Sequence, residues 1–535
     1  MILRRWGWVP LQAVLLGLTL FVGVFARHLF NFEFSEGLKL TALATGAWFL
    51  LTVLCLSWWQ KPPAWAELSG MRSITLSGLA VFVGWVFVSA AFAENKIYAF
   101  WGSPDRMEGA LHWLLYLVVG WIMWQTLRDP KVQNSKILHA LILLAIVLQA
   151  SYAIAQSLGI DISATRLTGI KRVVTTLGLH NTVCAWIWLS FFYVLTACLE
   201  AWPRRRVWGY MALGCVIGWA AVASHSRAAW IGGLLGLAIL FLILQVQVKR
   251  LRSLLVSLGL FSVFGSLALL GNVVALSWYM ALAAGAVGVG TLMLMRWGTA
   301  ENRWVNLLSA VLGLLAIFAL YRVVNSWPWA CLAASLLLAG IVFSWRFTKR
   351  LLPFWMALLA LWGGIQLGHL ATRWQDMHAR SEVAFLTHAV GNLDATMKGE
   401  SRVSIWMAAG PWAKDHLCWG SGPQSVELYY PQYRLADQIR RSEENLDRLH
   451  NMALDWLVTL GLPGLLIFYG WLVYFFYRCL KALLVAQVRE RLPLGALLAG
   501  IFSFYVQGLF LFGFVAGWLW LFFFMLLLEA RLSEL

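Results

Sequence analysis

His450 stands where a long polar stretch gives way to an apolar run, with Asn451 directly after it. An imidazole takes up a proton near neutral pH, so His450 is a candidate general base. A capping or packing histidine is the ordinary alternative. Five arginines have comparable settings. Arg106 lies in Gly102-Ser103-Pro104-Asp105-Arg106-Met107-Glu108-Gly109, Arg166 and Arg172 precede one apolar run, Arg227 follows Ser224-His225-Ser226 at the head of another, and Arg402 lies in the long polar stretch. A guanidinium fork grips a phosphate at two points. An ionisable residue at a membrane helix end marks a functional site by default, although a single Arg there can also snorkel to the headgroups. Several arginines on one membrane face suit a lipid-linked phosphate or diphosphate. Asp105, Glu108 and Asp415 compete with His450 as bases. Glu443, Glu444 and Asp447 lie at helical spacings from Arg440, Arg441 and Arg448, which reads as ion pairing along a solvated helix. Trp406, Trp412 and Trp419 can stack on sugar rings, but amphipathic helices also need an apolar face to pack.

The elements that carry these residues are membrane helices. The 535-residue chain is 61% hydrophobic and 12% charged, against roughly 25% charged in soluble domains. Mean hydropathy is +0.74. Disordered, coiled-coil and ordinary soluble classes are excluded. The apolar residues come in blocks of about 20, enough to cross a ~30 Å hydrocarbon core, and strict alternation is absent, which disfavours a barrel. The net charge of +17 fits cationic cytoplasmic helix ends better than nucleic acid. Of the seven Cys, only Cys418 lies in the long polar segment, so no disulfide forms within it, and no metal-type Cys spacing exists. The first block follows Arg4 and Arg5 without a small-residue cleavage site and reads as a retained helix.

About 16 blocks (14–16) are expected, making an all-α polytopic membrane protein with one large periplasmic loop that contains helices. The blocks lie near 8–26, 38–57, 75–92, 110–127, 137–157, 178–200, 208–223, 228–247, 253–271, 275–295, 304–321, 327–345, 352–369, 453–476, 492–511 and 514–530. With a cytoplasmic N-terminus, Arg204-Arg205-Arg206, Lys249-Arg250-Arg252, Arg346-Lys349-Arg350 and Arg478-Lys481 all fall inside, as the positive-inside rule requires. The C-terminus is then also cytoplasmic. The expected division is 1–369 for the first thirteen helices, 370–452 for the loop and 453–535 for the last three. In the loop, Ser401 caps a helix running towards His416, a Gly420-Ser421-Gly422-Pro423 turn follows, and a second helix runs from about Arg434 to Leu449.

His450-Asn451, nine residues, Gly461, two residues, Gly464 fits the H-[NSQ]-x9-G-x-x-[GTY] pattern of bacterial O-antigen ligases. Leu449 through Gly464 resembles the signature of the wider O-antigen ligase/polymerase (Wzy-C-like) superfamily. Ser226-Arg227-Ala228-Ala229-Trp230-Ile231 resembles that family's R-x3-L motif, with Ile in place of Leu. Arg402-Val403-Ser404-Ile405-Trp406, Asp415-His416 and Gly420-Ser421-Gly422 resemble the start of its large periplasmic loop. Arg166-Leu167-Thr168-Gly169 and Gly178-Leu179-His180-Asn181 are similar to its R-x-x-G and Gly/Asn-rich helix entry, without the common N-P-N wording. The chain departs from the pattern in having about four more helices between Arg227 and Arg402 than a typical ligase.

The resemblance implies a GT-C-type inverting glycosyltransferase of the bacterial inner membrane with a periplasmic active site. The donor is a glycan on undecaprenyl diphosphate, and the acceptor is lipid A-core for a ligase or another lipid-linked glycan for a polymerase. Some relatives use protein hydroxyls. It implies His450 as base and Arg227 and Arg402 on the diphosphate, with Arg106, Arg166, Arg172, Asn181 and Asn451 as weaker binding candidates. No Asp-x-Asp occurs in the outer segments, so no metal and no cofactor is expected. The partners implied are these substrates and membrane lipid, with no nucleic acid. The contrasting class is a transporter, which would show paired halves and polar residues near the midplane.

Overall fold

A computed structural model describes residues 8–26, 35–60, 73–103, 108–160, 173, 175–177, 180–201, 204–224, 226–245, 356, 358, 360, 361, 365, 402–433 and 446–534. Among them the secondary structure is helical, with no strand. The helices are α1 Val9–Phe25, α2 Ser35–Gln60, α3 Ile74–Phe92, α4 Lys96–Trp101, α5 Ala110–Leu127, α6 Pro130–Gln133, α7 Lys136–Ser157, α8 His180–Ala201, α9 Val207–Ala223, α10 Arg227–Gln245, α11 Arg402–Asp415, α12 Val426–Tyr433, α13 Met452–Val485, α14 Val488–Gly508 and α15 Val515–Leu532. Seven of the described helices have the length and apolar composition to cross a membrane: α2, α3, α5, α7, α8, α13 and α15. Stretches within α1, α9 and α10 are apolar and shorter.

The described helices coincide with the expected blocks from 8–26 through 228–247 and again from 453 to 530. The blocks at 253–271, 275–295, 304–321 and 327–345, and most of 352–369, lie outside the described residues. Two short helices went unforeseen although their signals are plain. Asn95 caps α4 by accepting from Tyr98 N, and Gly102 (φ 85°) ends it. Asp129 accepts from Lys131 N and Pro130 opens α6.

Two compact units divide the chain. The first holds residues 1–186, 372–477 and 505–534. In it α1 packs along α2 and α7, and α5 packs against α2, α3 and α15. Helix α15 is buried at every position from Val515 to Ala530, as an all-round apolar helix must be. Phe82 of α3, Trp113 of α5, Trp456 and Phe468 of α13 and Trp518 of α15 form one aromatic cluster, with Trp113–Trp518 at 5.1 Å and Trp113–Trp456 at 5.6 Å, edge on. The second unit holds 187–371 and 478–504. There Gly233, Gly236 and Gly500 let the helices close on Trp188 and Phe192.

The element that matters most is α13. It breaks at Gly461, whose φ of 72° and ψ of 179° are reached essentially only by glycine. Pro463 has no N–H to return to Thr459. The break strands three carbonyls, and each finds a new donor. Ser421 N and Oγ donate to Val458 O (3.0 and 2.9 Å). Gly422 N (2.9 Å) and Ser89 Oγ (3.1 Å) donate to Thr459 O. Trp85 Nε1 donates to Leu460 O at 2.8 Å. In return Leu462 N donates to Leu417 O at 2.8 Å. The Gly420-Ser421-Gly422 turn is thus the splint of the broken helix. Gly420 (φ 73°) allows backbone contact with Thr459 that a side chain would block.

Gly461→Ala meets two penalties. The backbone conformation costs about 1–3 kcal/mol for a non-glycine residue, and the new Cβ would stand 2.7 Å from Leu417 O. The variant is expected to unfold at a clearly lower temperature in detergent, whereas Gly470→Ala, whose Cβ meets nothing within 4 Å, keeps the parent midpoint.

Candidate functional site

The site is built at the mouth of α13. Asn451 caps the helix: its Oδ1 accepts from Ala453 N (3.0 Å) and Leu454 N (3.2 Å), and its carbonyl accepts from Asp455 N (2.8 Å). His450 precedes it, half-buried, with φ at 55°. That left-handed conformation costs a non-glycine residue about 1–2 kcal/mol, and such strain persists only where the surroundings over-determine it. The neighbours supply that. Asp455 Oδ1 accepts from Leu449 N at 2.8 Å. Trp406 Nε1 of α11 donates to Leu449 O at 2.9 Å. Arg448 Nη2 donates to Glu108 Oε2 at 2.6 Å, and Trp518 Nε1 of α15 donates to Glu108 Oε1 at 3.2 Å. The imidazole ring lies 5.5 Å from that of Phe512.

The expected helix from about Arg434 does not extend to Leu449. Residues 446–450 are not helical, 434–445 lie outside the described residues, and the helix that follows the Gly-Ser-Gly turn is α12, Val426–Tyr433. The physical reason is competition. Leu449 N and the Arg448 side chain are drawn to Asp455 and Glu108, so the segment is fastened by side chains rather than by its own helical bonds. Arg448 is buried, not part of a solvated row. Burial alone would lower its pKa, but the charges of Glu108, Asp455 and Asp447 hold it above the ordinary arginine value.

Glu108, Gln424, Arg448, Asp455, Trp456 and Thr459 line a cavity of about 20 Å³ above the aromatic cluster. That is room for one water. Gln424 holds its own loop in place, with Oε1 accepting from Ser103 N at 2.6 Å. Gly102 (φ 85°) and Gly109 approach so closely that a Cβ on Gly102 would stand 2.8 Å from Gly109 N. Residues 102–103 and 108–109 thus come together beside this cavity.

The α11–α12 subdomain over the site has its own core of Ala408, Ala409, Trp412, Ala413, Val426, Tyr429, Tyr430, Leu449 and Val458. Trp412 is fully buried and stacks on Tyr433 at 5.5 Å, so it packs and does not meet sugars. Trp419 stacks on Phe92 (4.4 Å) and Trp85 (5.6 Å). Two phenols lock α12: Tyr429 Oη donates to Glu94 at 2.7 Å and Tyr433 Oη to Asp415 at 2.8 Å. Burial and the Asp415 bond push the Tyr433 pKa up to about 12. Burial and the Glu94 bond push that of Tyr429 up as well. Both remain phenol donors across the physiological range.

The expected residues fall out as follows. His450, Asn451 and Arg402 belong to the first unit, Arg402 as the first residue of α11, one turn before Trp406. Arg227 opens α10 in the second unit. Asn181 sits in the first turn of α8. Arg106, Arg166 and Arg172 lie outside the described residues. Glu108, weighed as a base, is an ion-pair partner instead. Sequence reasoning missed Arg448, Asp455 and Gln424 as site residues. Asp455, four residues after Asn451, carried the usual sign of an acid in a first helical turn.

The apolar helices describe a membrane protein. The family model described as O-antigen ligase matches residues 308–469, taking in Arg402, the Gly-Ser-Gly turn, His450, Asn451, Gly461 and Gly464. Over these residues the chain is similar to O-antigen ligases. A search of curated proteins and one of solved structures returned no match.

Asn451→Ala removes the cap of α13 and should cost about 1 kcal/mol, while Asn451→Ser keeps it. Thermal unfolding in detergent is expected to separate the two, with Ala lower. Equal midpoints would mean the cap contributes nothing.

Proposed function

We propose that the chain transfers a glycan from undecaprenyl diphosphate to an acceptor hydroxyl at the periplasmic face of a bacterial inner membrane. The observation that carries this reading is the His450 turn, strained and held from both flanks, inside the stretch matched by the O-antigen ligase family. In this account His450 takes the proton of the acceptor hydroxyl as its oxygen attacks the anomeric carbon. The bond to the diphosphate breaks on the opposite face, so the configuration inverts. Arg227 and Arg402 bind the leaving diphosphate and stabilise its growing charge, with Arg106, Arg166, Arg172, Asn181 and Asn451 as further binding residues. The arginines take the electrostatic role that a metal fills elsewhere. Lipid A-core is the acceptor in the leading reading. A polymerase acting on a second lipid-linked glycan is the alternative, which the additional apolar blocks between Arg227 and Arg402 accommodate equally, and a protein hydroxyl is the third.

Purified protein incubated with a short glycan on undecaprenyl diphosphate, with and without lipid A-core, tests the acceptor. Product only with lipid A-core is expected, while lengthened lipid-linked chains from donor alone would make the protein a polymerase. His450→Ala should lower transfer by at least 10² and leave the unfolding midpoint near the parent's. Parent-like transfer by that variant would remove His450 as the base. Transfer should also survive exhaustive chelation of divalent ions, and recovery only on adding a metal back would refute the metal-free mechanism.

A further inference from the structure

The Glu108–Arg448 pair is more than the fold requires. Burying two charges costs several kcal/mol per ion before their attraction returns any of it, and well-packed apolar residues often do as well for stability. Here the pair is buried on both sides, with side-chain exposures of 8% and 6%. It reaches from the residue two before His450 to the segment that enters α5. Trp518 of α15 fixes the second carboxylate oxygen. Asp455 adds a second carboxylate near the Arg448 cation and grips Leu449 N. Glu108, Gln424, Arg448 and Asp455 line the cavity together with apolar side chains that make up most of its wall, and Gln424 Nε2 and Trp456 Nε1, both buried, reach no acceptor among the described residues. Hydrogen bonds at residues 448, 449 and 451 fasten the turn on either side of His450.

We propose that the Glu108–Arg448 ion pair is a positioning device that holds the left-handed His450 turn in its reactive direction. The proposal rests on the reading of His450 as the base. Neither member of the pair touches substrate in this account. Arg448 ties the chain on the near side of His450 to the entry of α5, Asn451 anchors it on the far side to α13, and the imidazole stands at the bend between them. A pair of charges suits this role because its geometry is directional, whereas an apolar contact of equal size would let the turn rock.

Stability and positioning separate in a cycle of Glu108→Gln, Arg448→Met and the double variant, assayed as full-length protein beside His450→Ala. Each is measured for unfolding midpoint, for kcat per folded molecule and for KM of the undecaprenyl-diphosphate-linked donor. The single variants should unfold earlier, because each leaves one buried charge or donor without its partner. The double variant should regain much of the midpoint, yet keep a kcat at least tenfold below the parent with KM changed less than twofold. Arg448→Lys, which keeps the charge and loses the fork, should fold and also lose kcat. A kcat within threefold of the parent in the double variant, or in Arg448→Lys should the double fail to fold, would overturn the proposal and leave the pair a structural contact. The base assignment fails separately: His450→Ala at parent rate, with the pair variants impaired, would show that the pair acts on some other group.

Discussion

A helix that breaks inside an apolar protein must pass its freed carbonyls to other donors, because no water stands ready to take them. The break of α13 at Gly461 sets that demand, and the rest of the first unit is arranged around meeting it. Val458, Thr459 and Leu460 are served by Ser421, Gly422, Ser89 and Trp85. These donors come from two places, the turn after α11 and the inner face of α3. The break therefore docks the non-spanning subdomain onto the spanning helices at one fixed point. From there the short upper arm of α13, Met452 to Leu460, points back into the subdomain and presents His450 at its tip.

The same arm explains why a strained histidine is tolerated. Trp406 reaches Leu449 from α11, Asp455 reaches it from within α13, and Glu108 holds Arg448 from the entry to α5. Three separate elements thus converge on the two residues before His450. An acid–base group must hold its place against a moving substrate, and fixed geometry around it is a large part of what an active site supplies. The aromatic cluster of Phe82, Trp113, Trp456 and Trp518 is the rigid floor beneath this arrangement. Some of the tryptophan that composition alone would assign to the membrane interface lies instead in this floor and in the buried Trp186, Trp188 and Trp520.

Most described helices could be read directly, because a block of about 20 apolar residues has few other stable forms in a membrane. The α11 helix and the glycine turn after it were also readable, from a helical run and from Gly-Ser-Gly-Pro. What escaped depends on distance in the sequence. Arg448 sits at helical spacing from Glu444, and local pairing looked sufficient. Its true partner, Glu108, lies 340 positions away, and spacing carries no trace of that. Asn451 stands where a cap belongs, before an apolar run, and its place beside His450 drew the reading to substrate binding while the cap went unnamed. The break itself was signalled by Gly461 and Pro463, two residues that interrupt helices for independent reasons, and their meaning became clear only with the donors that surround them.

The proposed chemistry places the reacting end of the lipid-linked donor at the His450 bend. A photoreactive diazirine placed on the first sugar of an undecaprenyl-diphosphate glycan reports that position directly when its adducts on the purified protein are mapped by mass spectrometry. Adducts concentrated on peptides spanning 402–406 and 446–452, and competed away by unlabelled donor, are predicted. Competed adducts confined to peptides without either stretch would contradict it.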